Sequence, residues 1–144
     1  MTFNLPPAVR LAEGLARDIE QAAARFQRAH RYTFGAELRK HAWNVLTTAN
    51  RAARKPAQRS ALLEQLVDQV DDLKLAIQQG QNLRLFSSFG QFSELMRNAI
   101  QLGQQVGGWH KQIHPKGQNG YAHARGQRAK TLSTQDTSKC EVNS

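Results

Sequence analysis

Apolar residues recur at intervals of three and four through most of the first 114 residues, the period of an amphipathic helix, and no convincing strand alternation interrupts them. The first stripe is Leu11, Leu15, Ile19, Ala22 or Ala23, and Phe26. It starts near Pro7, since proline suits a first helical turn, and fades in "RFQRAHRY". Thr33 is placed to N-cap a second helix, whose apolar face is Phe34, Leu38, Ala42, Val45 or Leu46, and Ala49. A different face of that helix carries Lys40, Asn44, Thr47, Arg51 and Lys55 at the same spacing, a polar and mostly basic stripe. Pro56 blocks continuation and restricts Lys55 before it. The third stripe, Leu62, Leu66, Val70, Leu73 and Ile77, loses its pattern in "QQGQN", where Gly80 is the expected stop. A capping box, Ser88 with Gln91 three residues on, opens the fourth helix. Its inner face is Phe92, Leu95, Met96, Ala99, Leu102, Val106, Trp109 and Ile113, and Pro115 closes it.

Four helices of about 20 residues, each about 30 Å long, joined by short connections, predict an all-α, up-down-up-down four-helix bundle over residues 1–114. From Pro115 the composition turns to Gly, Gln, Asn, His, Ser and Thr with scattered Lys and Arg, so residues 115–144 read as a basic, disordered tail. The 144 residues suffice for one domain with a modest core, and a mean hydropathy of −0.62 fits a soluble chain. No apolar run approaches the roughly 18 residues that span a bilayer, and "MTFNLPP" has neither the basic nor the apolar region of a secretory signal. The single cysteine, Cys140, makes a reducing, cytoplasmic setting the expectation.

Charge changes the picture more than composition does. Twenty Lys and Arg against eleven Asp and Glu give a net +9 and an isoelectric point near 10.5, which points to a polyanionic partner and first of all to nucleic acid. The excess is concentrated. Between Arg25 and Arg59 nine basic residues face one acid, Glu37, so this segment alone carries +8 around the second helix and its flanking loops.

Groups that could carry a reaction are few. His110 and His114 stand four apart, as two metal ligands on one helical face would, but a third ligand and the Glu of an H-E-x-x-H pattern are missing. They read as polar surface or as extra contact to phosphate. Glu64, Asp68, Asp71 and Asp72 form an acidic stripe on the third helix, without the Glu-x-x-His pairs of a di-metal bundle. It reads as a solvated face, or as an assembly surface if it meets the basic helix of another copy. There is no G-x-S-x-G, and Cys140 lacks a fixed His partner. "GQQVGGW" and "KGQNG" follow no strand, so neither is a phosphate-cradling loop. No enzyme, cofactor or metal is expected. Trp43 falls beside the apolar stripe of its helix, a position open to an interface anchor, a base-stacking platform or packing at the rim of the core.

"HRYTFGAEL" (His30 to Leu38), "LRLFSSFGQFSEL" (Leu83 to Leu95) and "IQLGQQVGGWHKQIHPKGQ" (Ile100 to Gln118) resemble the accessory variability determinant proteins, Avd, of diversity-generating retroelements. These are similar to a wider four-helix-bundle family that includes proteins encoded within intervening sequences of ribosomal RNA genes. The resemblance runs from about Arg25 to Gln118, and "GGW" followed by basic residues and "KGQ" is its most specific part. The first helix up to Ala24 gives no specific match, Phe92 stands where the family often has Tyr, and the tail after Gln118 has no counterpart.

The resemblance implies a homopentameric barrel of four-helix bundles with a basic surface, which binds the retroelement's reverse transcriptase and its template-region RNA. The polymerase then copies the template with errors at adenines, and the cDNA replaces a variable repeat in mutagenic retrohoming. Such an accessory has no active site of its own. Carried onto this chain, the nucleic-acid-binding candidates are Arg28, Arg31, Arg39, Lys40, Arg51, Arg54 and Lys55, joined by Lys111 and Lys116. DNA or an RNA/DNA hybrid is the other form the bound nucleic acid takes in this scheme. The rival expectation is an RNA-binding bundle of the ribosomal intervening-sequence type without a polymerase partner.

Overall fold

The computed structural model describes residues 5–113, and every regular element in them is helical. In chain order these are α1 (Pro7–Ala24), the one-turn α2 (Arg28–Arg31), α3 (Phe34–Arg54), a 3-10 turn (Pro56–Gln58), α4 (Arg59–Asn82) and α5 (Phe89–Ile113). The chain divides between Trp109 and His110 into two units, Met1–Trp109 and His110–Ser144. The packing described below belongs to the first.

Aromatic contacts fix the direction of the four long helices. Phe26, just past the end of α1, lies with its ring centroid 6.4 Å from that of Phe34 at the start of α3 and 5.6 Å from that of Phe86 after α4. Phe86 in turn meets Phe92 in the first turn of α5, with centroids 6.3 Å apart. The ends of α1 and α4 and the starts of α3 and α5 therefore share one pole. At the other pole Arg59, the first residue of α4, reaches carbonyls of the last turn of α3 and lies 6.0 Å from the centroid of the Trp109 ring of α5. Successive long helices thus run antiparallel, as in a four-helix bundle, and α3 packs against both α1 and α4.

The four apolar stripes line the interior. Leu15, Ile19, Leu38, Val45, Leu66, Leu73, Ile77, Leu102 and Val106 are buried, joined by Ala8, Val9 and Ala12 at the start of α1. Alanines recur where helices face one another, with Ala22, Ala23, Ala42, Ala49 and Ala52 all buried. Their small side chains let the axes approach, which close packing of a core this size requires.

Helix ends depart from expectation in four places. Thr33 holds the N-cap position of α3, but its hydroxyl donates backwards to the Ala29 carbonyl at 3.2 Å and caps nothing ahead. "RFQRAHRY" is not a plain loop, since Arg28–Arg31 close one helical turn inside it. The capping box at Ser88 is half formed in the expected way. The Gln91 N–H donates to Ser88 Oγ at 3.1 Å, but Gln91 Oε1 accepts from the Ser87 N–H at 2.9 Å, one residue early.

The fourth departure is Gly80, which does not stop α4. It is buried within the helix, which runs on to Asn82. The stop comes at Arg84, whose φ of 59° is left-handed. There the Leu85 N–H returns to the Gly80 carbonyl at 3.0 Å and the Arg84 N–H to the Gln81 carbonyl at 2.9 Å, the paired bonds of a Schellman ending. Gly80 answers a different need. A Cβ there would lie 2.9 Å from Phe86 Cε2 and 3.3 Å from Phe34 Cε2, so any larger residue forces the rings of the aromatic pole to shift. The tail expected over 115–144 lies outside the described residues.

Candidate nucleic-acid interface

α3 presents its basic stripe because its apolar positions are used inward. With Leu38, Ala42, Val45, Ala49 and Ala52 buried, a 100° step per residue turns Lys40, Trp43, Thr47, Arg51 and Arg54 to the opposite side. Lys40, Arg51, Arg54 and Lys55 are exposed, and among the described residues none of the four enters an ion pair. Lys40 and Arg51 are eleven residues apart, about 16 Å along the helix and roughly the axial length of five base pairs. Arg51, Arg54 and Lys55 crowd the last turn, where a helix also favours cations.

The remaining candidates separate into distinct situations. Arg28 is exposed on the one-turn helix at the aromatic pole, away from the Arg51 end of α3. Arg31 is half-buried, and its Nε and Nη2 both donate to the Phe26 carbonyl at 3.4 Å, folding it back over the end of α1. Arg39 donates through Nε to Glu20 Oε1 of α1 at 2.8 Å, with its side chain 28% exposed. That contact ties α3 to α1 and offsets one positive charge beside the stripe. Lys111 is exposed in the last turn of α5, in the second unit. Lys116 lies outside the described residues, as does His114 of the histidine pair. His110 is buried.

One residue gains a role that the sequence did not assign. Arg59 contributed to the basic count, yet its guanidinium serves the fold. Nε donates to the Ala52 carbonyl at 2.7 Å and Nη2 to the Ala53 carbonyl at 3.0 Å, satisfying acceptors that the end of α3 leaves without helical partners. Trp43 is 61% exposed, with one side of its ring beside Ala16, Ala42 and Leu46.

The acidic stripe of α4 is exposed at Glu64, Asp68, Asp71 and Asp72, with Asp71 Oδ1 3.3 Å from Lys74 Nζ. Among the described residues no three His, Cys, Asp or Glu side chains gather as a metal would require. No helix among them is long and apolar enough to cross a membrane. Compared with protein-family models and with curated proteins, the chain finds no match in either.

Proposed function

We propose that this chain is a non-catalytic accessory protein of a diversity-generating retroelement, of the Avd kind. It holds template-region RNA close to the element's reverse transcriptase and so supports adenine-directed mutagenic cDNA synthesis and retrohoming. The observation that carries the nucleic-acid part is the outward face of α3, where Lys40, Arg51, Arg54 and Lys55 stand exposed and outside any ion pair among the described residues. Antiparallel helices with an apolar interior support the likeness to a bundle, and the resemblance of "HRYTFGAEL", "LRLFSSFGQFSEL" and "IQLGQQVGGWHKQIHPKGQ" supports the retroelement part.

Physically, each phosphate met by a Lys or Arg releases condensed counterions, so binding falls steeply as salt rises. Contacts of this kind position a strand without reading its sequence. A homopentamer would bring five copies of the α3 face into one particle and multiply a modest attraction through effective concentration. Template choice would then rest with the polymerase and the shape of the RNA.

Replacing Lys40, Arg51 and Lys55 together with Glu tests the face. The expected outcome in a gel-shift assay is loss of RNA retention, with helicity by circular dichroism and particle mass by light scattering unchanged. Unaltered retention would rule the face out. A mass about five times the 16.1 kDa chain is the expected assembly. The DNA flanking the gene tests the element itself. A reverse-transcriptase reading frame and two repeats differing at adenines are expected, whereas a ribosomal RNA gene there would select the intervening-sequence bundle without a polymerase partner.

A further inference from the structure

Trp43 is the largest side chain that the fold leaves in water, and its surroundings are specific. Lys40 lies three residues before it and Thr47 four after, so the indole stands between successive turns of the basic face of α3. One side of the ring borders a groove of about 380 Å³ between α1 and α3. Ala16, Ala42 and Leu46 line the groove beside the indole, and its polar lining is balanced in charge, with Glu13, Arg17 and Glu20 from α1 and Arg39 from α3. The small alanines leave the space open, and the core does not use the ring.

We propose that this face takes single-stranded rather than duplex nucleic acid, with an unstacked base laid against the Trp43 indole and the phosphates following Lys40, Arg51 and Arg54. The inference rests on the nucleic-acid reading above and narrows its ligand. An indole attracts the face of any base, and alternating aromatic and cationic side chains are what a strand with free bases can use. In a duplex the base faces are covered by their neighbours, so an exposed indole has nothing to stack on and holds the paired backbone away from the lysine and arginines. The apolar side of the groove, at Ala16, Ala42 and Leu46, lies beside the ring where the base would be received, and the exposed cations of α3 lie on the outer side. Because stacking engages the face of a base and not its edge, the platform is tolerant of sequence.

The test uses the full chain carrying Trp109→Phe, so that Trp43 is the only indole, with single-stranded oligouridine and oligoadenine and a duplex RNA of equal length as probes. The expected result is saturable quenching of Trp43 fluorescence by the single strands, over the same concentrations that produce retention. Trp43→Ala is expected to weaken single-strand binding by roughly five- to hundredfold, the worth of one stacked base, and Trp43→Phe by much less. The slope of log affinity against log salt stays unchanged in Trp43→Ala, because no charge is lost, and drops in Lys40→Glu. Duplex binding is indifferent to Trp43→Ala. Retention of the single strands without quenching overturns the proposal, as does equal weakening of single strand and duplex. So does a change in particle mass at constant affinity per chain, which would make Trp43 a contact between protein copies. If no nucleic acid is retained by the parent chain, the nucleic-acid reading falls, and this inference with it.

Discussion

Arg59 shows how a charge that looks available can belong to the fold. Its two bonds, 2.7 and 3.0 Å long, go to carbonyls that would otherwise face the start of α4 unpaired, and its guanidinium lies 6.0 Å from the Trp109 ring centroid. Arg59→Ala is therefore expected to cost about 2 kcal/mol, most of it from the orphaned carbonyls and a fraction from the lost cation–π contact. Urea unfolding checks this, with a lower midpoint and an unchanged slope. Lys55→Ala, four residues away and exposed, should stay within about 0.5 kcal/mol of the parent protein. Arg31 and Arg39 make the same point less strongly, since exposed ion pairs such as Arg39–Glu20 contribute little. None of the three could be separated from Lys40 or Arg51 by sequence. Their partners, a carbonyl or a carboxylate, become neighbours only after the chain has reversed direction.

At the level of whole helices most of the design was legible, because period and burial are tied by geometry. The stripe Leu38, Ala42, Val45, Ala49 on α3 is buried as its spacing requires, and Pro7 and Pro56 mark boundaries by removing an N–H and fixing φ. Glycine was less readable, since the same residue serves as a stop, a gap or nothing structural within the chain. Two glycines make opposite predictions. Gly80→Ala gains about 1 kcal/mol of helix propensity but drives a Cβ to 2.9 Å from the buried Phe86 ring, and overpacking of about 1–3 kcal/mol wins. Net destabilisation of about 1 kcal/mol is expected. At Gly107 an added Cβ meets nothing within 4 Å, so Gly107→Ala should stabilise by about 0.5–1 kcal/mol. Thermal melts of the two variants should move in opposite directions. Gly107 belongs to "GGW", so open space at that point of α5 falls within the most specific stretch of the resemblance.

Across residues 5–109, charge and aromatic packing are laid out on different plans. The aromatic residues Phe26, Phe34, Phe86 and Phe92 gather at one pole, whereas Arg51, Arg54 and Lys55, exposed and outside any ion pair among the described residues, sit near the other. A linear sequence shows the second fact as a run of Arg and Lys, but the first needs four segments brought together. The crowding of Arg51, Arg54 and Lys55 has a thermodynamic consequence. Like charges three and four residues apart repel, and a chain of net +9 adds a general self-repulsion, so folding of the free protein is opposed by a penalty that mobile ions relieve. A bound polyanion relieves it too, and is itself displaced by those ions. The melting temperature should then climb with added salt when the protein is alone and fall with added salt when RNA is saturating, and the two curves should converge at the ionic strength where the strand lets go. Scanning calorimetry across a salt series would reveal that crossing of slopes, and parallel curves would mean that the α3 cations do not meet phosphate. The same crowded turn that weakens the free fold would thus make its heat stability a direct gauge of occupancy.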